Sequence, residues 1–511
     1  MKREFDSPYP HRFVIIKELM SKIDKFNIPK EVSHVTKTIE NAGFEAYIVG
    51  GCVRDLLIGK APKDWDVTTN AKPEEIEKLF DNTYYNNDYG TVGVVNDDVE
   101  DETLKVVEVT PYRLESEYSD SRRPDSVEFS DSIEHDLKRR DFTINAIAYN
   151  ESKGQIIDLH EGQKDIDSKT VRAIGDPDVR FSEDALRILR AIRISAELGF
   201  KIEEKTKESI KKDAKMLEKI AKERIKDEFV RIIMSNKPME ALELAHEMEV
   251  LQFVVPEIEE GIGVKQNQAH AFTVWEHNLR SVQHAAEKGW SLEIRLSALF
   301  HDIAKPATSR WSDEKKDWSF HGHDVVGGRM TKKILERLKF PKKQAEKIVK
   351  LVRWHLFFSD PDQITLSAVR RMVKNVGEEN IWHLMDVRES DRIGMGRPKA
   401  NPYRLRKYRS MIEEALRDPV SVAMLKIDGA KIMEVTRETA GPKIGFILHA
   451  LLEEVLDDPK LNTAEYLEET SKKLIKLSET ELKKLGDKGK DKKEEVEEKE
   501  IAGLRGKHWV K

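Results

Sequence analysis

The chain has one cysteine in 511 residues, no apolar run long enough for a bilayer, and no cationic segment followed by an apolar one at its start. A lone thiol excludes an internal disulfide, and the place of Cys52 inside a glycine turn reads as a small residue chosen for fit. Without an apolar run or a leader-like start, neither a membrane span nor a secretory signal is supported, and a cytoplasmic setting is expected. Net positive charge is also missing: the formal balance is −6, which does not advertise a polyanionic partner. No internal repeat is present. What the chain does have is length for several domains and a charged fraction of 36%, with a mean hydropathy of −0.59.

Charge is distributed unevenly. Residues 201 to 226 hold ten Lys or Arg against six Asp or Glu, and a second basic run, Lys399 to Arg409, interleaves Tyr403 and Tyr408. Such runs suit a phosphate backbone, although on helices they are more often solvated faces. From Asp487 to Glu500, 12 of 14 residues are charged, so this end is expected to stay disordered.

The pattern of apolar residues gives the organisation. Short apolar strands at Ala46 to Val49, Thr91 to Val95 and Leu104 to Val109 mix with helical stretches, as in a small α/β head. From Arg180 onward helices dominate, with Leu186, Leu189, Ile192 and Ile194 as a buried stripe and an amphipathic stretch from Lys205 to Met234. Gly441-Pro442-Lys443-Ile444-Gly445 reads as a turn and helix start.

Two carboxylates in the head carry the first chemical inference. Asp64 and Asp66 flank Trp65, and in a strand alternate side chains share a face, so both would project together. Hard oxygen ligands of this kind suit Mg²⁺. About a dozen residues upstream, Gly50-Gly51-Cys52-Val53-Arg54-Asp55 follows an apolar strand. There Gly50 and Gly51 would let backbone N–H groups approach an anion, and Arg54 adds a phosphate donor. Glu108, on an alternating strand, is a candidate third carboxylate, with a solvent-facing glutamate as the alternative.

This order of motifs resembles the nucleotidyltransferase superfamily that includes the tRNA CCA-adding enzymes and bacterial poly(A) polymerases. Three further blocks are similar in the same order: Asp120 to Pro124, Arg139 to Ile147, and Glu183 to Ala191. The resemblance implies a polymerase-β-like α/β head followed by a helical neck, an HD domain and a helical tail. It implies Arg139, Asp141 and Asn145 as contacts to ribose and triphosphate, with Gly50, Gly51, Arg54 and Arg190 completing the nucleotide site. Asp184 and Arg187 would read the base. At helical i, i+3 spacing a carboxylate acceptor and a guanidinium donor stand side by side and complement cytosine or adenine but not uracil; a helix-surface ion pair is the alternative.

A second set of residues, His277, His301-Asp302, His323 and Asp391, with His355 added, is similar to the HD phosphohydrolase superfamily. Mixed His and carboxylate ligation suits a divalent transition metal or Mg²⁺. That resemblance implies hydrolysis of small phosphate esters.

The expected layout is therefore an N-terminal extension (1–30), a nucleotidyltransferase head (31–160), a base-reading neck (161–262), an HD domain (263–400), an RNA-binding helical tail (401–476) and a disordered charged end (477–511). The function implied is metal-dependent addition of CCA to the tRNA 3′ end from CTP and ATP. A poly(A) polymerase or an enzyme adding only A or only CC are alternatives. A different class is an HD hydrolase whose head merely binds RNA.

Overall fold

The computed structural model describes residues 26–86, 90–97, 99–113, 129–268, 270–357, 364–417 and 421–510. The block Asp120 to Pro124 and most of the N-terminal extension lie outside them. The chain forms two compact units, one comprising Met1–Val352 with Gly394–Gly396, the other Arg353–Ile393 with Arg397–Lys511.

The first unit opens with helix α1 (Lys30–Asn41) and then builds a mixed sheet. Its strands are β1 (Ala46–Val49), β2 (Trp65–Thr69), β3 (Thr83–Asn86), β4 (Thr91–Val95), β5 (Val106–Pro111), β6 (Ile147–Asn150) and β7 (Gln155–Asp158), in the spatial order β3-β4-β5-β2-β1-β6-β7. Only the β2/β5 pair in this sheet is parallel; its other pairs are antiparallel. Alternation sorts the side chains. Ile48, Trp65, Val67, Val92, Val94, Val107 and Val109 face the main core, whereas Tyr47 and Val49 face the opposite side beneath helix α3 (Ile133–Lys138). Asp66 and Glu108 therefore stand on that opposite side. Helix α2 (Gly51–Leu57) begins directly after β1.

Beyond the sheet the expected helical neck is present. Helix α4 (Pro177–Glu183) has Pro at its first turn, and Asp176 caps it by accepting from the Asp178 N–H. It is followed by α5 (Leu186–Leu198), whose Leu186, Leu189, Ile192 and Ile194 are buried as the apolar stripe requires, and which ends on Gly199 in the left-handed region. Helix α6 (Lys222–Met234) packs on α5. Helix α7 (Val274–Glu287) starts with a reciprocal cap between Thr273 and Glu276. It pairs with α8 (Leu292–Phe300), and α9 (His323–Arg337) follows a short hairpin of Arg310–Ser312 with Asp317–Ser319.

The second unit is helical and has its own core around Ile432, Ile447, Leu451, Leu452 and Leu467. Helix α10 (Pro442–Asp457) starts at the expected Gly-Pro signal. The charged end departs from the expected disorder: it carries helix α11 (Glu479–Lys507). Two glycines explain it. A side chain at Gly486 would meet the Phe446 backbone at 2.9 Å, and one at Gly489 the His449 carbonyl at 2.1 Å, so α11 lies close against α10. Lys488 with Glu453 and Lys492 with Asp457 then match charge along the contact. Composition counted the charges but not the apolar seat they flank.

Candidate functional site

The glycine turn brings the backbone after β1 to the carboxylates. Gly50 has φ +86, a left-handed conformation that L side chains avoid. A Cβ there would lie 2.9 Å from Arg140 Nη1 and 3.7 Å from Asp66 Oδ2, so the backbone passes within contact of the acidic site. The parallel register places Asp66 directly opposite Glu108. Directly paired residues on adjacent strands share a face, so Glu108 belongs beside Asp66. Asp64 is exposed one residue before β2.

Burial, reinforced by the neighbouring Glu108 and Asp64 charges and opposed by Arg140 and Arg190, pushes the Asp66 carboxyl up to about 6. Crowded carboxylates of this kind are what a divalent cation relieves, so the donor set fits Mg²⁺. The proton competes with the ion: below pH 6 Asp66 is mostly protonated, and Mg²⁺ must displace that proton. Apparent Mg²⁺ affinity should thus weaken as pH falls through about 6 and level off above it. Calorimetric titration from pH 5 to 8 measures this, and a pH-independent affinity would remove Asp66 from the ligand set.

A chain of polar contacts leads away from the turn. Arg54 Nη1 donates to Asn145 Oδ1 (2.8 Å), and Asn145 Nδ2 donates to Asp141 Oδ1 (3.1 Å). Arg190 Nε donates to Asp141 Oδ2 (2.8 Å). Burial alone would raise the Asp141 carboxyl, but Arg190 and Asn145 override it and hold it below its ordinary value. Arg139 and Arg140 both pair with the buried Asp136, at 2.5 and 3.0 Å, at the C-terminal end of α3. Arg193 Nε lies 2.7 Å from Glu228, extending the network into α6.

The helical spacing expected for Asp184 and Arg187 needs correction. Asp184 is not helical; at φ −147 and ψ 101 it sits in the turn between α4 and α5. It accepts from the Leu186 N–H (3.0 Å) and from Arg224 Nη2 (2.7 Å). Arg187 instead donates to Glu183 (2.5 Å) and to the Arg180 and Arg139 carbonyls (2.9 and 3.1 Å). The i, i+3 ion pair is absent because the chain breaks helical geometry between the two residues.

A second cluster lies among α7, α8 and α9 of the same unit. His277 Nε2 is 2.8 Å from His301 Nε2 and 3.0 Å from Asp302 Oδ2. His301 Nε2 is 3.3 Å from Asp302 Oδ2, and His323 Nε2 is 3.3 Å from Asp302 Oδ1. The Nδ1 atoms of His301 and His323 engage the Ala298 and Phe320 carbonyls (2.8 and 2.6 Å). That contact fixes each ring so that Nε2 faces the carboxylate, the outer-sphere arrangement of metal-binding histidines. Burial favours neutral His277, lowering its pKa against the pull of Asp302. Asp302 would be raised by burial but is held well below its ordinary value by Lys305 and His301.

Sequence reasoning missed His270, whose ligand atom lies within 4.8 Å of those of His277 and Asp302; its one signal was a histidine seven residues before His277. His355, after helix Lys342–Trp354, and Asp391, paired with Arg388, belong to the second unit.

Family profiles match in the same order as the sites. The Poly A polymerase head domain covers 46–172, the probable RNA and SrmB-binding site of polymerase A covers 199–262, and the HD domain covers 274–395. A CCA-adding enzyme of Leuconostoc citreum is 45% identical over 247 residues, which is 47% of this chain and 60% of that protein. The chain thus spans about 60% of the length of this relative. One from Lactobacillus delbrueckii subsp. bulgaricus is 38% identical over 280 residues, covering 55% of this chain and 67% of the relative. The crystal structure of the Bacillus stearothermophilus CCA-adding enzyme in complex with CTP is similar with a TM-score of 0.57 and 26% identity, covering 86% of this chain and 96% of that one. No helix among the described residues is long and apolar enough to cross a membrane.

Proposed function

The chain belongs to the family of CCA-adding enzymes, and from that premise we propose that it adds cytidine, cytidine and adenosine to the 3′ end of tRNA from CTP and ATP. The observation that carries the reading is the register of Asp66 with Glu108 beside the left-handed Gly50 turn. Asp64, Asp66 and Glu108 would hold Mg²⁺, which supplies charge stabilisation for an attacking hydroxyl and for leaving pyrophosphate. Gly50 and Gly51 open the backbone to the triphosphate. Arg54, held by Asn145, offers its guanidinium to phosphate oxygens, and Arg190 is fixed by Asp141 for the same purpose. Arg139 stands ready on the Asp136 pair.

Base choice falls to Asp184 and Arg187. Asp184 would exchange its Arg224 bond for the amino group of cytosine or adenine, while Arg187, anchored by Glu183, donates to the neighbouring ring nitrogen. Sequencing the 3′ ends formed on a tRNA lacking CCA tests the whole reading. The expected product ends in CCA; A-only, CC-only or poly(A) ends each select one of the alternatives.

The imidazole and carboxylate cluster supports a second activity. We infer that His277, His301, Asp302 and His323, with His270 added by proximity, hold a divalent metal for hydrolysis of phosphate esters. His301→Ala should abolish divalent-metal-dependent hydrolysis of a 2′,3′-cyclic phosphate and leave CCA addition within about two-fold of wild type, since local substitutions at separate sites act independently. Retained hydrolysis would remove His301 from the ligand set. Lost CCA addition would show that the two activities are coupled.

A further inference from the structure

Tyr84 is large, aromatic and 47% exposed, yet its position is tightly specified. Across the sheet, Tyr84 on β3 pairs with Gly93 on β4, Gly93 pairs with Glu108 on β5, and Glu108 pairs with Asp66 on β2. Directly paired residues face the same side, so the tyrosine shares one row with the two carboxylates. Its ring does not stand upright over its own strand. A Cβ built on Gly93 would lie 2.3 Å from Tyr84 Cε1 and Cζ and 2.8 Å from its Oη, so the ring lies across β4 with its hydroxyl end over the glycine, toward the acidic row. Glycine is depleted in strand interiors, and one there often marks a close approach. Here no other residue could stand at 93 without displacing the ring.

Strands lie about 4.8 Å apart, which puts the ring about 5 Å in the sheet plane from the Glu108 position and about 10 Å from that of Asp66. That is the offset a nucleoside bridges when its 3′-hydroxyl is at the carboxylates and its base extends along the sheet. An aromatic face beside a catalytic carboxylate row accepts any base by stacking, which suits an acceptor whose last nucleotide changes as the chain grows.

We propose that Tyr84, seated by Gly93, binds the 3′-terminal nucleotide of the RNA acceptor by stacking. The proposal rests on the nucleotidyltransferase reading given above. It is distinct from the recognition of the incoming nucleotide, which uses residues on the other side of Asp66. A ring over a strand glycine also covers bare backbone, so the test must separate binding from packing.

The full-length chain is assayed with Mg²⁺, CTP and a tRNA ending at the discriminator base, wild type beside Tyr84→Ala and Tyr84→Phe. For Tyr84→Ala the KM for tRNA should rise about 5- to 150-fold, the range one base–aromatic stack supplies, with the KM for CTP unchanged; Tyr84→Phe should restore the tRNA KM to within about three-fold. An unchanged tRNA KM in Tyr84→Ala overturns the proposal alone. So does a parallel rise in both KM values with a lowered melting temperature, which would mark a packing role. A wild-type chain that adds no nucleotide overturns the functional reading and this proposal together.

Discussion

Asp66→Ala should lower nucleotide addition at least about 10³-fold, because charge stabilisation by a bound metal is worth several kcal/mol and each 1.36 kcal/mol is a tenfold change in rate. Stability should move the other way. In the folded protein the Asp66 carboxyl is pushed up to about 6 by burial and by Glu108 and Asp64. Its folded value is thus above the unfolded one, and the folded state holds the extra proton between the two. Above pH 6 the ionised group destabilises the metal-free fold; below the unfolded value it costs nothing. The isosteric Asp66→Asn variant, without Mg²⁺, is therefore expected to melt above wild type at pH 8 and level with it near pH 4. Incorporation assays and thermal melts in the two buffers check both halves. A variant that loses activity and stability together would show Asp66 to be structural, not a ligand.

The divergence matters because the acidic site was the most legible part of the sequence. Alternation fixes which side of a strand a residue faces, which places Asp66 on β2 opposite the core-facing Trp65 and Val67, whereas Asp64 stands one residue before the strand, where alternation does not reach. The glycine turn and strand β1 could be read with them, since Gly50 needs the left-handed region and β1 is buried throughout. Glu108 was a candidate only, as nothing in a single strand states which strand it pairs with; the parallel β2/β5 ladder supplies that. Local spacing misled at Asp184, where a break between α4 and α5 separates two residues that a continuous helix would have joined. At the charged end, sequence composition argued for disorder while Gly486 and Gly489 permitted close helix packing. His270 and Tyr84 were invisible for a common reason: both matter through neighbours distant in the chain or across the sheet.

The Arg54–Asn145–Asp141–Arg190 chain gives the block Arg139 to Ile147 a structural part as well. Asp141 holds three partners at once: the Phe142 N–H (2.8 Å), the Asn145 amide and the Arg190 guanidinium. Asp141→Ala should therefore lower unfolding free energy by about 1–3 kcal/mol, the usual result of leaving buried hydrogen-bonding partners unsatisfied, since the Arg190 side chain keeps partial access to water. Arg190 would keep only the more distant Glu228, at 3.8 Å. Activity should fall as well, since Asn145 loses the anchor that sets Arg54 toward the phosphate loop. The pH dependence has the opposite sign to that of Asp66. Despite burial, Arg190 and Asn145 hold the Asp141 carboxyl below its ordinary value, so its contribution is present above the unfolded value near 3.8 and is lost as pH falls through the lower folded one. Urea unfolding at pH 7 and pH 3 measures this: the gap between wild type and Asp141→Ala should be large at pH 7 and begin to narrow at pH 3. A gap under about 1 kcal/mol at pH 7, the scale of an exposed ion pair, would mean that Asp141 does not organise the site and that Arg54 and Arg190 are placed by packing alone.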